Sequence, residues 1–153
     1  VGVYPNSAAV TLAGGMAPEE VYCSWVEEGE VDTSCFGQAR FPDGVVAQMA
    51  AGIRSPFRVG LHVVGDLGAV FVDRPWKPGL DGRPTAIRLL THQGREKVYE
   101  FPAVSPYQAE VETMERCILD GEQPLVPLSL SREFLKSALA LRESARTGEP
   151  VRP

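Results

Sequence analysis

Between Glu20 and Phe101 the chain is a succession of short alternating runs separated by tight turns, and helical spacing occurs only before and after it. That segregation constrains the fold more than any other feature. Strands joined directly to strands pair antiparallel, because parallel neighbours need a crossover between them. Helices gathered at the two ends of the chain point to an α+β architecture rather than an alternating α/β one. The expected order is one helix, six or seven strands and two helices.

The first helix is expected from Tyr4 to Ala13, ended by Gly14-Gly15. Strand patterns follow at Glu20–Val26, Val31–Phe41, Val45–Arg54, Phe57–Val64, Ala69–Val72, Thr85–Thr91 and Glu96–Phe101. Period-2 alternation puts Val21, Cys23 and Trp25 on one face, and Thr33, Cys35, Ala39 and Phe41 on one face of the next run. Pro42-Asp43-Gly44 reads as a hairpin turn. Several strands are small or apolar on both faces, as in Val46, Gln48, Ala50 and Gly52. A face open to water is normally more polar. Helices are therefore expected on one face of an open, mostly antiparallel sheet, with a second copy of the chain on the other.

The closing helices carry clear punctuation. Ser105-Pro106-Tyr107-Gln108 combines an N-cap serine, a proline at the first helical position and a glutamine three residues after the cap. Tyr107, Val111, Met114 and Ile118 form a helical stripe, read as core rather than as a cofactor-binding face. The last helix is expected from Ser131 to Thr147, with Phe134, Ala138, Leu141 and Ala145 inward.

Composition excludes several functions. The 153 residues fit one domain, and a net charge of −5 with scattered arginines argues against nucleic acid as a partner. No apolar run is long enough to span a membrane. Cys23, Cys35 and Cys117 match no zinc spacing, so no metal is expected. They read as buried, inert thiols of a reducing, cytoplasmic compartment. The acidic group Glu27, Glu28, Glu30 and Asp32 reads as a solvated loop. There is no GxGxxG, P-loop, GxSxG or HExxH. His62 and His92 read as structural or surface residues, and Glu96-Lys97 as a cross-strand surface pair. Arg74 and Trp76, in the long Pro- and Gly-rich loop from Asp73 to Pro84, read as surface or interface packing.

Tyr4 stands apart. It precedes a proline at a helix start, where the backbone is restricted and the helix N-terminus favours negative charge. From the residues alone two readings stay open: a ring packed at a helix start, or a phenol placed for proton transfer.

An ordered set of motifs resembles one family. Val1-Gly2-Val3-Tyr4-Pro5 leads into Ala8-Ala9 and Gly14. Asp32-Thr33-Ser34, the hairpin from Arg40 to Gln48, and His62-Val63-Val64-Gly65-Asp66-Leu67-Gly68 follow. Then come Pro75-Trp76, Pro106 to Val111, Asp120 to Leu125, and Glu143 to Val151. Together they resemble the C-terminal domain of the Gfo/Idh/MocA oxidoreductases, the glucose–fructose oxidoreductase and inositol dehydrogenase family. The resemblance implies an NAD- or NADP-binding Rossmann domain preceding this one, and a sugar, polyol or cyclic alcohol held between the two. It also implies assembly as a homodimer or higher oligomer through the open sheet face.

The family's Glu-Lys-Pro motif supplies a catalytic lysine from the Rossmann domain, and Asp-x-Gly-x-His/Tyr a second acid/base. Gly2 and Tyr4 match the last two fixed positions of the second motif, and its aspartate would directly precede Val1. Tyr4 is thus the implied catalytic residue, and residues 1–153 the implied substrate and oligomerisation domain, inactive without its Rossmann partner. Where the family has His, an aspartate often sits three residues later. Here Ser7 holds that place as a candidate substrate-binding residue. Glu96-Lys97 is followed by Val98 and does not match the lysine motif. A non-catalytic ligand sensor, regulator or dimerisation module on the same fold is the alternative.

Overall fold

The structure, a computed structural model of the chain, describes residues 2–153; Val1, the variable position before Gly2 in the implied motif, lies outside the described residues. The elements are α1 (Val3–Leu12), β1 (Glu20–Glu28), β2 (Val31–Arg40), a single 3-10 turn at Pro42–Gly44, β3 (Val46–Gly52), β4 (Leu61–Gly65), β5 (Gly68–Val72), β6 (Thr85–Thr91), β7 (Glu96–Phe101), α2 (Pro106–Leu119) and α3 (Leu128–Thr147). The expected helix–strands–helices order holds. All seven strands pair antiparallel, in a three-stranded sheet β1-β2-β3 and a four-stranded sheet β4-β5-β6-β7.

The chain divides into two compact units, the described residues up to Pro56 with Leu125–Pro153, and Phe57–Pro124. In the first unit, α1 and α3 lie on one face of β1-β2-β3. The register explains which face. Val21 opposes Ala39 and Ala39 opposes Ala47, while Cys23, Gly37 and Met49 form the next row. These rows point inward, and Val10, Val21, Ala39, Phe41 and Ala140 form the buried core, with Leu130, Phe134, Leu141 and Val151 packed around it. Phe41 is 1% exposed, and burying such a ring stabilises by about 1.5–3 kcal/mol. Between β2 and β3, Asp43 (φ 63°) and Gly44 (φ 79°) both take left-handed backbone. Aspartate and glycine tolerate that conformation better than most residues.

The inward stripe of α3 differs from the apolar one expected. Ser137, Ala140 and Ser144 are its buried residues, and Phe134, Ala138, Leu141 and Ala145 flank them at intermediate burial. Small side chains let α3 approach the sheet, and both hydroxyls are bonded. Ser144 Oγ accepts from the Cys23 N–H at 2.9 Å and donates to Glu149 O at 2.7 Å. Beyond α3, Val151 exchanges backbone bonds with Val21 at 2.8 and 2.9 Å, tying the chain's last turn to β1.

In the second unit the strand expected from Phe57 begins only at Leu61. Leu61 pairs with Val72, the last residue of β5, so Phe57–Gly60 have no strand residues opposite them, and Phe57 is 93% exposed. β6 and β7 keep the expected bounds. The cap of α2 is as read, with Ser105 Oγ accepting from the Gln108 N–H at 3.5 Å. Its stripe is a correction: Tyr107, Val111, Met114 and Ile118 share a face but are exposed rather than core. Helical periodicity reports an amphipathic surface, not what covers it.

Candidate functional site

Tyr4 stands in the first turn of α1, half-exposed, with Gly2 as N-cap. Successive residues turn about 100° around a helix, so Tyr4, Ser7, Ala8 and Thr11 share one face. Asn6 and Val10, the two buried residues of α1, lie on the opposite one. The structure therefore brings Tyr4 and Ser7 together on the exposed face. The Ser7 hydroxyl donates to the Tyr4 carbonyl oxygen at 3.0 Å, and Thr11 Oγ1 donates to Ser7 O at 2.8 Å. Both bonds run back along the helix.

Asn6 is the residue that sequence reasoning missed. It is 2% exposed. Its Nδ2 donates to Phe134 O at 3.0 Å, and its Oδ1 accepts from Ser137 Oγ at 2.6 Å. Unbonded burial of a side-chain amide would be costly, and here both of its polar ends are engaged with α3. The available signal was an asparagine four residues before Val10 on the buried helical face.

A cavity of about 430 Å³ opens on this inner side of α1. Cys23, Trp25, Cys35 and Met49 form its sheet wall, Leu141 closes it from α3, and Glu27, Glu30, Asp32 and Arg142 line its polar part. Neither Tyr4 nor Ser7 lines it, so the cavity and the Tyr4 face are separate surfaces. The acidic group is a correction in part. Glu28 pairs with Arg54, while three of its neighbours border this cavity rather than a featureless loop.

The remaining candidates are structural. His62 packs edge-on against Phe71, with ring centroids 4.9 Å apart. Lys97 lies over the Tyr99 ring at 4.5 Å. Across the ladder Glu96 opposes Leu90 and Lys97 opposes Leu89, so neither directly faces a charge as a cross-strand pair would. Arg74 binds Asp81 and the Pro84 carbonyl, closing the long loop. All three cysteines are free; only Cys23 is buried, Cys35 and Cys117 being half-buried, which corrects the expectation of three buried thiols. Burial pushes the Cys23 and Cys35 thiols up from their ordinary value, with Cys35 adding to the effect on Cys23 and Asp32 to that on Cys35. Among the described residues, no group of three or more His, Cys, Asp or Glu side chains is placed to hold a metal ion. No helix among them is long and apolar enough to cross a membrane.

No protein-family profile matches the chain. It is 29% identical over 155 residues to D-xylose 1-dehydrogenase (NADP(+)) 2 of Haloferax volcanii, covering 99% of this chain and 46% of that protein. Aldose-aldose oxidoreductase from Caulobacter crescentus, solved with glycerol, superposes with a TM-score of 0.81 at 25% identity, over 99% of this chain and 46% of that one. A 3-ketoreductase from Actinomadura kijaniata, solved with TDP-benzene and NADP, shares the fold alone, with a TM-score of 0.74 at 21% identity, over 97% of this chain and 45% of that one. The chain thus spans about half the length of the relatives it matches. These matches bear out the resemblance to the C-terminal domain of Gfo/Idh/MocA-type oxidoreductases that the ordered motifs carry.

Proposed function

We propose that this chain is the substrate-side domain of an NAD(P)-dependent oxidoreductase that acts on a sugar, polyol or related cyclic alcohol. One observation carries the reading: 99% of the chain aligns with one half of a D-xylose dehydrogenase. Tyr4, on the exposed first turn of α1, is the proton donor and acceptor for the alcohol oxygen. Ser7, on the same face, borders the substrate.

No strand among the described residues runs through a glycine-rich turn into a helix. The residues present therefore do not fit a dinucleotide pyrophosphate, and NAD or NADP is assigned to a preceding Rossmann domain. A nicotinamide bound there would exchange the hydride with the carbinol carbon, and Tyr4 would take the proton from the alcohol oxygen in oxidation or return it in reduction. Residues 1–153 alone should accordingly give no turnover. The exposed outer face of β1-β2-β3 is the surface for a homodimer. Three free thiols fit a reducing, cytoplasmic compartment.

The test is an assay of the full-length enzyme with NAD and NADP against aldoses and polyols, D-xylose first. Tyr4→Phe should lower kcat by about 10²- to 10⁴-fold, the range for loss of a general acid or base, with a smaller change in KM. Undiminished kcat in that variant would refute the role of Tyr4. Sugar binding without turnover across the whole panel would favour a ligand-sensing module instead.

A further inference from the structure

α1 is short, and only Asn6 and Val10 of its ten residues are buried. Val10 enters the apolar core at the helix's later turns. The first turn has no side-chain cap and no acidic residue. Asn6 is its one buried side chain. Apolar contacts tolerate rotation and sliding, whereas hydrogen bonds are directional. Phe134 O lies within α3, where it also serves the helix ladder, and Ser137 lies one turn further on the same helix. Asn6 Nδ2 and Oδ1 thus engage two fixed points, at 3.0 and 2.6 Å. Turning α1 by one residue, about 100°, would break both bonds and leave a buried amide unsatisfied.

Asn6 is two residues from Tyr4 and faces roughly the opposite way. Whatever fixes the azimuth of Asn6 therefore fixes that of the phenol. A leucine at position 6 would suit an apolar contact and has the higher helix propensity; the amide adds orientation.

We propose that the Asn6–Ser137 pair, anchored on the Phe134 carbonyl, is a positioning device that sets the rotation of α1 and so aims the Tyr4 phenol at the reacting oxygen. The inference rests on Tyr4 being the acid/base. Asn6 touches no substrate in this scheme and acts only through the helix.

The test is a double-mutant cycle in the full-length enzyme, with NADP and the best sugar of the panel. Asn6→Leu should lower kcat about 10- to 100-fold, the scale of a small misplacement of a reacting group, while KM stays within about threefold. Added to Tyr4→Phe, it should cause little further loss, because an aiming device has nothing left to aim. Ser137→Ala, which removes one of the two bonds, should give a smaller loss with the same kcat-only signature.

Full kcat in Asn6→Leu beside a disabled Tyr4→Phe overturns this proposal and leaves Tyr4 standing. So do losses that multiply in the double variant, because they mark a general structural role. Full kcat in Tyr4→Phe removes both readings. If Asn6→Leu does not fold, Ser137→Ala carries the same cycle, and undiminished kcat or multiplying losses there overturn the proposal.

Discussion

Replacing Ser144 by alanine removes one hydroxyl and opens two bonds, those to the Cys23 N–H and the Glu149 carbonyl. Ser144 is fully buried, so water does not readily replace it. Leaving a buried donor unpaired costs about 1–3 kcal/mol. Ser144→Ala should therefore lower the urea midpoint with the slope unchanged, and an unaltered midpoint would show that the hydroxyl is dispensable. The thiols facing the cavity give a second residue-scale prediction. Burial raises the Cys23 and Cys35 pKa values in the folded state. Both states are protonated below the unfolded thiol value of about 8.5. Above it the unfolded chain releases protons first, so folding stability should be level through neutral pH and fall as pH rises past about 8.5. Stability that increased through that window would contradict the burial of these groups. The partners of Ser144 and Asn6 were not legible in the sequence, although the place of Asn6 on the Val10 face of α1 was. A buried serine or asparagine carries no hydropathy signal, and the bonds from Ser144 to Cys23 and from Asn6 to Ser137 each join residues over a hundred positions apart in the chain.

At the scale of elements, local chemistry was the better guide. The Ser105 cap, the Pro106 start of α2, the Asp43-Gly44 turn and the bounds of β6 and β7 depend on a few neighbouring residues, and each was readable. The start of β4 was not, because a strand needs a partner, and β5 offers none beyond Val72. The α2 stripe was legible as a pattern and not as a contact. The β4–β5 turn permits a sharper test. Gly68 pairs with both Gly65 and Thr91, at φ 152°. A Cβ there would run into the Leu90 carbonyl oxygen and approach Thr91 Cα to 3.0 Å. Backbone cannot swing aside as a side chain can, so Gly68→Ala should separate β5 from β6 at that end. The expected cost is about 1–3 kcal/mol, as for other overpacked sites, and faster amide exchange in β5 and β6 would report it. A neutral substitution would mean that the turn shifts freely.

At the scale of the whole molecule, the sequence feature with the widest consequence is a sheet that carries apolar residues on both faces. In β1-β2-β3 the inward rows are covered by α1 and α3. The outward rows are Tyr22-Gln38-Gln48 and Ser24-Phe36-Ala50, bordered by Val26 and Val46. Tyr22, Val26, Phe36 and Val46 are 47%, 52%, 56% and 56% exposed. Apolar groups gathered on one flat face mark an interaction surface. A two-fold axis through that face would set Phe36 of each copy near the centre of a self-complementary contact. The full-length protein should therefore run as a dimer or larger assembly in light scattering at micromolar concentration. Phe36→Glu places a charge in the patch that a dimer would bury, where desolvation without a partner is expensive. It should shift the protein toward monomer while circular dichroism keeps the native signal, since the side chain lies outside the core. A native full-length protein that stays monomeric as its concentration rises would leave the outer face without this role, whatever the fate of the Tyr4 reading.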